Sequence, residues 1–126
     1  YMKLGDHATL ADEPTTFGGN NFGPSPYEYL SGALASCTAM TVQMYARKKK
    51  WNLETITVHI DHSKEHAVDC ANCESSSAKI DTFTKTIKIE GDLTEEQKER
   101  LMEIADRCPV HRTLMSDVQI ISSQIE

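Results

Sequence analysis

Long apolar runs are missing from this chain of 126 residues. No run reaches the roughly eighteen apolar residues of a membrane-spanning helix, and no basic segment followed by a short apolar one marks a signal peptide. A glycine-rich loop that would bind a nucleotide is missing too. We therefore expect a cytoplasmic protein with no membrane partner.

Basic charge is also scarce. The chain has 13 Lys and Arg against 19 Asp and Glu, a formal net charge of -6, whereas nucleic-acid binding needs a basic surface that replaces the counterions of phosphate. The one basic run, at 47–50, is better read as the last turn of a helix, where cations complement the carbonyl end of the dipole. We predict no nucleic-acid partner.

The length predicts a single domain over residues 1–126, which would bury roughly two thirds of the surface of its unfolded chain. Apolar residues are 39% of the sequence and charged residues 25%, as in ordinary globular proteins. Because the sequence begins at Tyr1 rather than Met, we keep open that it is the C-terminal part of a longer protein.

The strongest structural signal is a helix start at Ser25. Ser25 at the N-cap, Pro26 at the first helical position and Glu28 at the third form a capping-box pattern. Apolar residues then recur at three- and four-residue steps among small ones, which predicts a helix buried nearly all round. These positions are Leu30, Ala33, Leu34, Cys37, Met40, Thr41, Met44 and Tyr45.

Alternating apolar and polar residues predict the strands. Residues 53–60 alternate, and so do residues 79–91, with Ile80, Phe83, Ile87 and Ile89 as inward candidates, so we expect a hairpin. Shorter strands are expected at 7–11 and 118–125. A second helix starts at Thr94 with a capping box and ends before Pro109, where a helical turn follows. The order predicts an α+β fold, two helices packed with an antiparallel sheet.

Cys108 is the cysteine whose neighbours best suit a reactive thiol. It precedes Pro109 and so takes the N-cap position of a short helix, where backbone N–H groups and the helix dipole favour a thiolate. Arg107, His111 and Arg112 add positive charge nearby. The other interpretation is a small buried residue at the end of a helix.

Cys37, on the apolar face of the first helix, is by itself most simply read as inert core filling. Two cysteines on separate buried elements of a small cytosolic domain, however, suit a peroxidatic and resolving couple. In that chemistry one thiolate attacks a peroxide O–O bond to give a sulfenic acid, and the second thiol condenses with it. Both interpretations stay open on the residues alone.

Two stretches, GPSPYEYLSGALASCTAM and ADRCPVHRTL, resemble the osmotically induced protein C (OsmC) and organic hydroperoxide resistance (Ohr) superfamily. The resemblance covers nearly the whole chain and implies an OsmC-like fold, with two subunits intertwined as a homodimer. It also implies a thiol-dependent peroxidase of organic hydroperoxides, with Cys37 attacking and Cys108 resolving. An external dithiol would reduce it, and no organic cofactor or obligatory metal is implied.

The resemblance further implies a glutamate that directly follows the proline of the first helix and pairs with an early arginine to organise the thiolate. Here Tyr27 takes that place, and no arginine occurs before Arg47. Glu28, one position later and about 100° further around the helix, is our catalytic candidate. A capping-box carboxylate is the alternative, which the local pattern favours.

The stretch HAVDCANCE resembles instead the OsmC-like domains at the C-terminus of fusions with an α/β-hydrolase domain. Cys70 and Cys73 have the spacing that captures zinc, and His62 or His66 could add a nitrogen ligand. The pair could equally form a redox disulfide or have no function.

Two functions remain in competition. The leading one is a cytosolic, homodimeric thiol peroxidase of alkyl or lipid hydroperoxides, because Leu30, Leu34, Met40 and Met44 offer apolar pocket walls. The rival is a non-enzymatic OsmC-like dimer that binds a small apolar ligand at its interface or a metal at the Cys70 and Cys73 pair.

Overall fold

A computed structural model describes residues 1–66 and 79–125 of the chain. The strands are β1 (Met2–Leu4), β2 (His7–Thr9), β3 (Asn52–His66) and β4 (Lys79–Asp92), and the helices are α1 (Pro26–Lys49), α2 (Glu95–Ala105) and α3 (Pro109–Leu114). β1 pairs with β2, and β3 with β4, which confirms the predicted α+β class. Across the described ranges, no helix has both the length and the apolar character needed to span a bilayer.

The chain divides into two compact units. The first unit is Tyr1–Ala35 with His59–Thr86, and the second is Ser36–Val58 with Ile87–Glu126. α1, β3 and β4 each contribute residues to both units, so the division cuts through elements and not through linkers. A single domain over 1–126 therefore stays our prediction.

In the first unit, β1 and β2 form an antiparallel hairpin with Met2 opposite Thr9 and Leu4 opposite His7. Gly5 has a φ of 63°, the left-handed conformation that the first position of a tight hairpin turn requires and that glycine adopts without strain. The strand expected at 7–11 is therefore present but ends at Thr9.

The Asp12 carboxylate organises the loop between β2 and α1. Its oxygens accept the backbone N–H groups of Glu13 at 2.9 Å, Asn20 at 3.0 Å and Phe22 at 3.2 Å. These hydrogen bonds, that from Phe22 above all, hold the pKa of Asp12 below its usual value, because each stabilises the charged form. The turn-rich segment before the helix is thus folded around an ionised side chain.

α1 begins at Pro26, as predicted, with a complete capping box. The Glu28 N–H donates to Ser25 Oγ at 3.2 Å, and the Ser25 N–H donates to Glu28 Oε1 at 2.9 Å. One residue further on, Tyr29 Oη donates to the Leu10 carbonyl and bonds the Thr9 hydroxyl. The first turn of the helix is thereby tied to the end of β2.

The core of the second unit is built where α1 and α2 pack together. It consists of Val42, Ala46, Leu101 and Ala105, and two alanines among four residues allow the helix backbones to approach closely. Partly buried side chains close around it, namely Tyr45, Trp51, Leu53, Ile56, Ile87, Ile89 and Leu93. α2 has the predicted capping box, with Thr94 Oγ1 accepting the Gln97 N–H at 3.1 Å.

The prediction that α1 is buried nearly all round is wrong for the described chain. Met40 and Met44 are 60% and 69% exposed. The buried side chains form one stripe at four-residue spacing, Leu34, Thr38, Val42 and Ala46. The sequence pattern selected the larger apolar residues, whereas α2 approaches so closely that short side chains fill the space.

β3 and β4 are the predicted hairpin strands, and β3 alternates as expected, with Ile56, Val58 and Ile60 partly buried. A Cβ on Gly91, near the end of β4, would lie 2.1 Å from the carbonyl oxygen of Asn52 at the start of β3. The inward position given to Ile80 is wrong, since it is 54% exposed. Side chains on a strand alternate between faces, and Ile80 has the opposite phase to the other predicted inward residues of β4.

The strand predicted at 118–125 is also wrong for this chain, because the structure has no regular element there. Strand backbone groups need a partner strand, and among the described residues β1 to β4 pair only with one another. The apolar side chains of this segment lie exposed, Val118 at 58%, Ile120 at 87%, Ile121 at 82% and Ile125 at 91%.

Candidate functional site

Cys108 is the N-cap of α3, as the sequence predicts. Its backbone is extended, with φ -67° and ψ 142°, and Pro109 begins the helix. The Cys108 Sγ accepts the backbone N–H of His111 at 3.1 Å, so the sulfur occupies the place of an N-cap oxygen. The residue is 0% exposed. A sulfur in this position receives a backbone donor that stabilises negative charge.

A second donor reaches the same sulfur from α1. The hydroxyl of Thr38 lies 3.7 Å from Cys108 Sγ, and Thr38 is itself 0% exposed. The two helices are therefore joined at this sulfur by a buried polar contact. Sequence reasoning missed Thr38, and it also missed Val42, which lies four residues further along the same helix face.

Cys37 is the neighbour of Thr38 on α1 and is partly buried. The contact of Thr38 with Cys108 places the Cα of Cys37 within about 10 Å of the Cys108 sulfur. Both cysteines are free thiols. Since successive helix residues point about 100° apart, Cys37 lies beside the buried stripe and not within it. The site thus combines a more accessible thiol with a buried one.

The positive side chains near Cys108 have a weaker effect on its sulfur than the sequence suggests. His111 Nδ1 lies 3.8 Å from Asp106 Oδ1, so an acidic neighbour offsets this side chain. Arg107 and Arg112 are exposed, where solvent and salt weaken their field. The sulfur itself contacts a backbone N–H and a hydroxyl, and these two donors lie closer to it than either arginine charge is shown to lie.

Glu28 lies in the first unit, where its carboxylate takes part in the capping box with Ser25. The hydrogen bonds from the backbone and side chain of Ser25 hold the pKa of Glu28 below its usual value. The alternative role weighed for this residue, helix capping, is therefore present in the fold. Its catalytic role stays a prediction.

Glu28→Gln separates the two roles. We expect the variant to melt only slightly below the wild type at neutral pH, because a glutamine oxygen still accepts the Ser25 N–H and only the contribution of the charge is lost. Glu28→Ala, which removes the acceptor, should melt a few degrees lower. Because the pKa of Glu28 is lowered on folding, its charge stabilises above the usual pKa of a carboxyl and that contribution is lost as the pH falls through the lowered pKa. Melting curves by circular dichroism at neutral and acid pH measure both effects.

The same variant then tests catalysis in a protein that is still folded. If Glu28→Gln melts close to the wild type but loses hydroperoxide turnover, the carboxylate acts in the reaction. If it keeps both, Glu28 caps the helix and does nothing more. A drop in melting temperature at neutral pH as large as that of Glu28→Ala would contradict the capping argument.

A cavity of about 620 Å³ lies in the first unit beside the start of α1. This is the size of pockets that hold small organic ligands. Glu28 is the one charged residue of its lining, and the others are Met2, Leu4, Ala11, Pro24, Pro26, Tyr29, Gly32 and Ala33. The apolar pocket walls proposed from the sequence do not line this cavity. Their residues are Leu30, Leu34, Met40 and Met44, and a pocket formed by them stays a prediction.

His62, one of the two histidines considered for zinc, is engaged elsewhere. Its ring stacks between Tyr27, at a centroid distance of 4.8 Å, and Phe83, at 4.6 Å. Its Nε2 lies 2.9 Å from Asp81 Oδ1. Tyr27, which stands where the resemblance implies a glutamate, therefore packs in an aromatic stack within the first unit.

The zinc hypothesis for Cys70 and Cys73 falls outside the described residues, and so does the side chain of His66. Within residues 1–66 and 79–125, no three His, Cys, Asp or Glu side chains form a group that could hold a metal ion. Zinc, a redox disulfide and the absence of a function therefore all stay open for this pair.

The chain is therefore a small α+β protein in which a long helix bears one thiol and a second thiol caps a short helix. The model of the OsmC-like protein family matches residues 18–123, and the chain therefore belongs to that family. The recognition made from GPSPYEYLSGALASCTAM and ADRCPVHRTL is confirmed. A search of curated proteins finds no match.

Solved structures have the same fold. An organic hydroperoxide resistance protein OsmC of Legionella pneumophila is 18% identical with a TM-score of 0.60, over 82% of this chain and 70% of that one. An OsmC-like protein of Mycoplasma pneumoniae is 21% identical with a TM-score of 0.60, over 82% and 68%. A Psychrobacter arcticus protein assigned to osmotic stress and detoxification is 18% identical with a TM-score of 0.62, over 81% and 68%. At these identities the likeness shows the fold.

Proposed function

We propose that the protein is a thiol-dependent peroxidase that reduces organic hydroperoxides. The Cys37 thiolate attacks the terminal peroxide oxygen, the O–O bond breaks, and the alkoxide leaves as an alcohol after taking up a proton. Cys37 is oxidised to a sulfenic acid, and the Cys108 thiol condenses with it to give a disulfide and water. An external dithiol then reduces the disulfide by exchange, with no organic cofactor.

The observation that carries the proposal is that the two thiols lie near each other, because Thr38, the residue after Cys37, contacts the sulfur of Cys108. Cys108 Sγ is held by the His111 N–H and the Thr38 hydroxyl, and Thr38 adjoins Cys37. Cys37 is partly buried and Cys108 is 0% exposed. This difference suits their roles, because the attacking sulfur needs access to the substrate and the resolving sulfur does not.

The side chains on the helix face around Cys37 favour an apolar hydroperoxide as the substrate. Met40 and Met44 follow it by three and seven residues, a spacing that puts all three on one side of α1, and both methionines are exposed. An alkyl or lipid hydroperoxide would place its apolar part against such side chains. Membership of the OsmC-like family and the similarity to an organic hydroperoxide resistance protein of Legionella pneumophila support the same class.

The proposal includes a cytoplasmic homodimer. Free thiols such as Cys37 and Cys108 persist in a reducing compartment. The apolar side chains of the segment 118–125 lie exposed, and an exposed apolar surface of this kind is typical of an interface between proteins. A second copy of the chain would cover it.

The test is the consumption of cumene hydroperoxide in the presence of excess dithiol. A peroxidase gives a rate that saturates with hydroperoxide and loses two thiols per chain when the dithiol is left out. A slow rate that rises linearly with hydroperoxide and equals the dithiol background would contradict the proposal.

The apolar cavity of the first unit favours a second candidate, a non-enzymatic protein that binds a small apolar ligand. Such a protein would oxidise only slowly, and an apolar fluorescent probe would bind it with saturation. Gly32→Leu provides the control, because a Cβ at Gly32 meets no atom within 4 Å and the side chain would extend into the cavity. For the metal branch at Cys70 and Cys73, zinc analysis of wild type and Cys70→Ser in reducing buffer decides.

A further inference from the structure

Thr38 is the one polar residue among the described residues that is fully buried. Burying a hydroxyl is unfavourable unless it is hydrogen-bonded. One partner of the Thr38 hydroxyl is the Cys108 sulfur, since Thr38 Oγ1 lies 3.7 Å from Cys108 Sγ.

Two donors that reach the Cys108 sulfur come from different elements. The His111 N–H belongs to α3 and is fixed by the helix itself, whereas the Thr38 hydroxyl belongs to α1 and can rotate towards the sulfur. Hydrogen bonds to a charged acceptor are about twice as strong as those between neutral groups, and they strengthen further in a water-poor interior. Both donors therefore bind the thiolate more tightly than the thiol.

We propose that Thr38 is a positioning residue that holds the Cys108 sulfur and favours its thiolate for the resolving step. This inference rests on the proposed peroxidase function for the step it serves. In that step the Cys108 thiol ionises, and the thiolate attacks the sulfur of the Cys37 sulfenic acid. The S–S bond forms, the S–O bond breaks, and the hydroxide takes up a proton and leaves as water.

The position of Thr38 in the sequence links its hydroxyl to the sulfur that is oxidised. Thr38 directly follows Cys37, so one turn of α1 carries both the sulfur that is oxidised and the donor for the sulfur that resolves it. Because neighbouring residues on a helix are rigidly spaced, a displacement of this turn would move the sulfenic acid and the donor together. The hydroxyl of Thr38 on α1 thus contacts the sulfur of Cys108 at the start of α3.

The first experiment measures the thiol itself and requires no turnover. In a chain whose other cysteines are replaced, Cys37→Ser, Cys70→Ser and Cys73→Ser, the ultraviolet absorbance of the Cys108 thiolate is followed against pH. We expect Thr38→Val, which keeps the shape and removes the hydroxyl, to move the ionisation of Cys108 to higher pH. Thr38→Ser, which keeps the hydroxyl, should restore the wild-type curve.

The second experiment measures the resolving step. After one equivalent of cumene hydroperoxide, Thr38→Val should slow disulfide formation about fivefold, the value of a typical hydrogen bond, and leave the rate of sulfenic acid formation unchanged. Thr38→Ala, which also removes the hydroxyl, replaces Thr38→Val if the latter does not fold by circular dichroism.

Unchanged thiolate titration in Thr38→Val, or in Thr38→Ala, would overturn the inference, and so would equal effects of Thr38→Val and Thr38→Ser, which indicate packing alone. Failure of the peroxidase proposal is distinct. In that case the wild type forms no sulfenic acid, while the thiolate titration still decides the role of Thr38.

Discussion

Replacing Cys37 by serine is expected to reduce hydroperoxide consumption to the background rate of the dithiol alone. A serine hydroxyl is almost fully protonated at neutral pH and is a far weaker nucleophile than a thiolate. It cannot accept the peroxide oxygen to form a sulfenic acid. The side chain is partly buried at the edge of the helix stripe, so one atom changes and the packing is kept. Initial rates against hydroperoxide concentration measure the loss.

Cys108→Ser separates attack from resolution. This variant should still release one equivalent of alcohol per chain in the first turnover, because Cys37 remains, and its sulfenic acid should persist until an external thiol reacts with it. Cys70→Ser and Cys73→Ser are the matched controls for the loss of any thiol and should keep saturable turnover. Turnover by Cys37→Ser equal to that of the wild type would refute the assignment of the attacking residue.

The capping motifs show which parts of the fold can be predicted from the sequence. Ser25 with Glu28, Thr94 with Gln97, and Cys108 all cap helices as predicted. Each signal is local, because the donor and the acceptor lie within three residues of one another. Helix starts of this kind are decided by neighbouring side chains and so are visible in the chain itself.

The buried face of α1 shows what the sequence does not reveal. The apolar positions predicted to be buried and the positions observed to be buried both satisfy helical spacing, and which of them are buried depends on what approaches the helix. α2 brings Leu101 and Ala105 against Val42 and Ala46, a long-range contact that no local pattern encodes. The same reason explains the omission of Thr38, whose partner Cys108 is 70 residues away.

Ile80 illustrates a different error. The period of a strand was recognised correctly in residues 79–91, but the phase of its first residue was not. Since the faces alternate strictly, Phe83 and Ile87 fix the phase, and Ile80 falls on the opposite side. The resemblance to the family did not help here, because it identifies the order of elements and not the facing of single side chains.

The second prediction concerns a dimer, which we expect because the described chain leaves apolar residues exposed. Ile120 and Ile121 are 87% and 82% exposed in a segment whose apolar pattern predicts a strand but which has no strand partner among the described residues. We expect the protein to sediment at twice the 14.1 kDa of the chain. Pairing with a second copy would bury these side chains.

Ile120→Asp with Ile121→Asp should convert that dimer to a monomer. The double variant removes two isoleucines from each chain and so four from the dimer, and burying each contributes roughly 1.5–3 kcal/mol, which should raise the dissociation constant by at least about four powers of ten. Gln119→Asp with Ser122→Asp is the matched control, since it adds the same charge to the same segment without removing apolar surface. Sedimentation of the wild type as a single chain, or equal dissociation of the control, would refute this interface. If the active site lies at it, the Ile120 and Ile121 variant should lose peroxidase turnover along with the dimer, while Cys37 and Cys108 stay unchanged in its sequence.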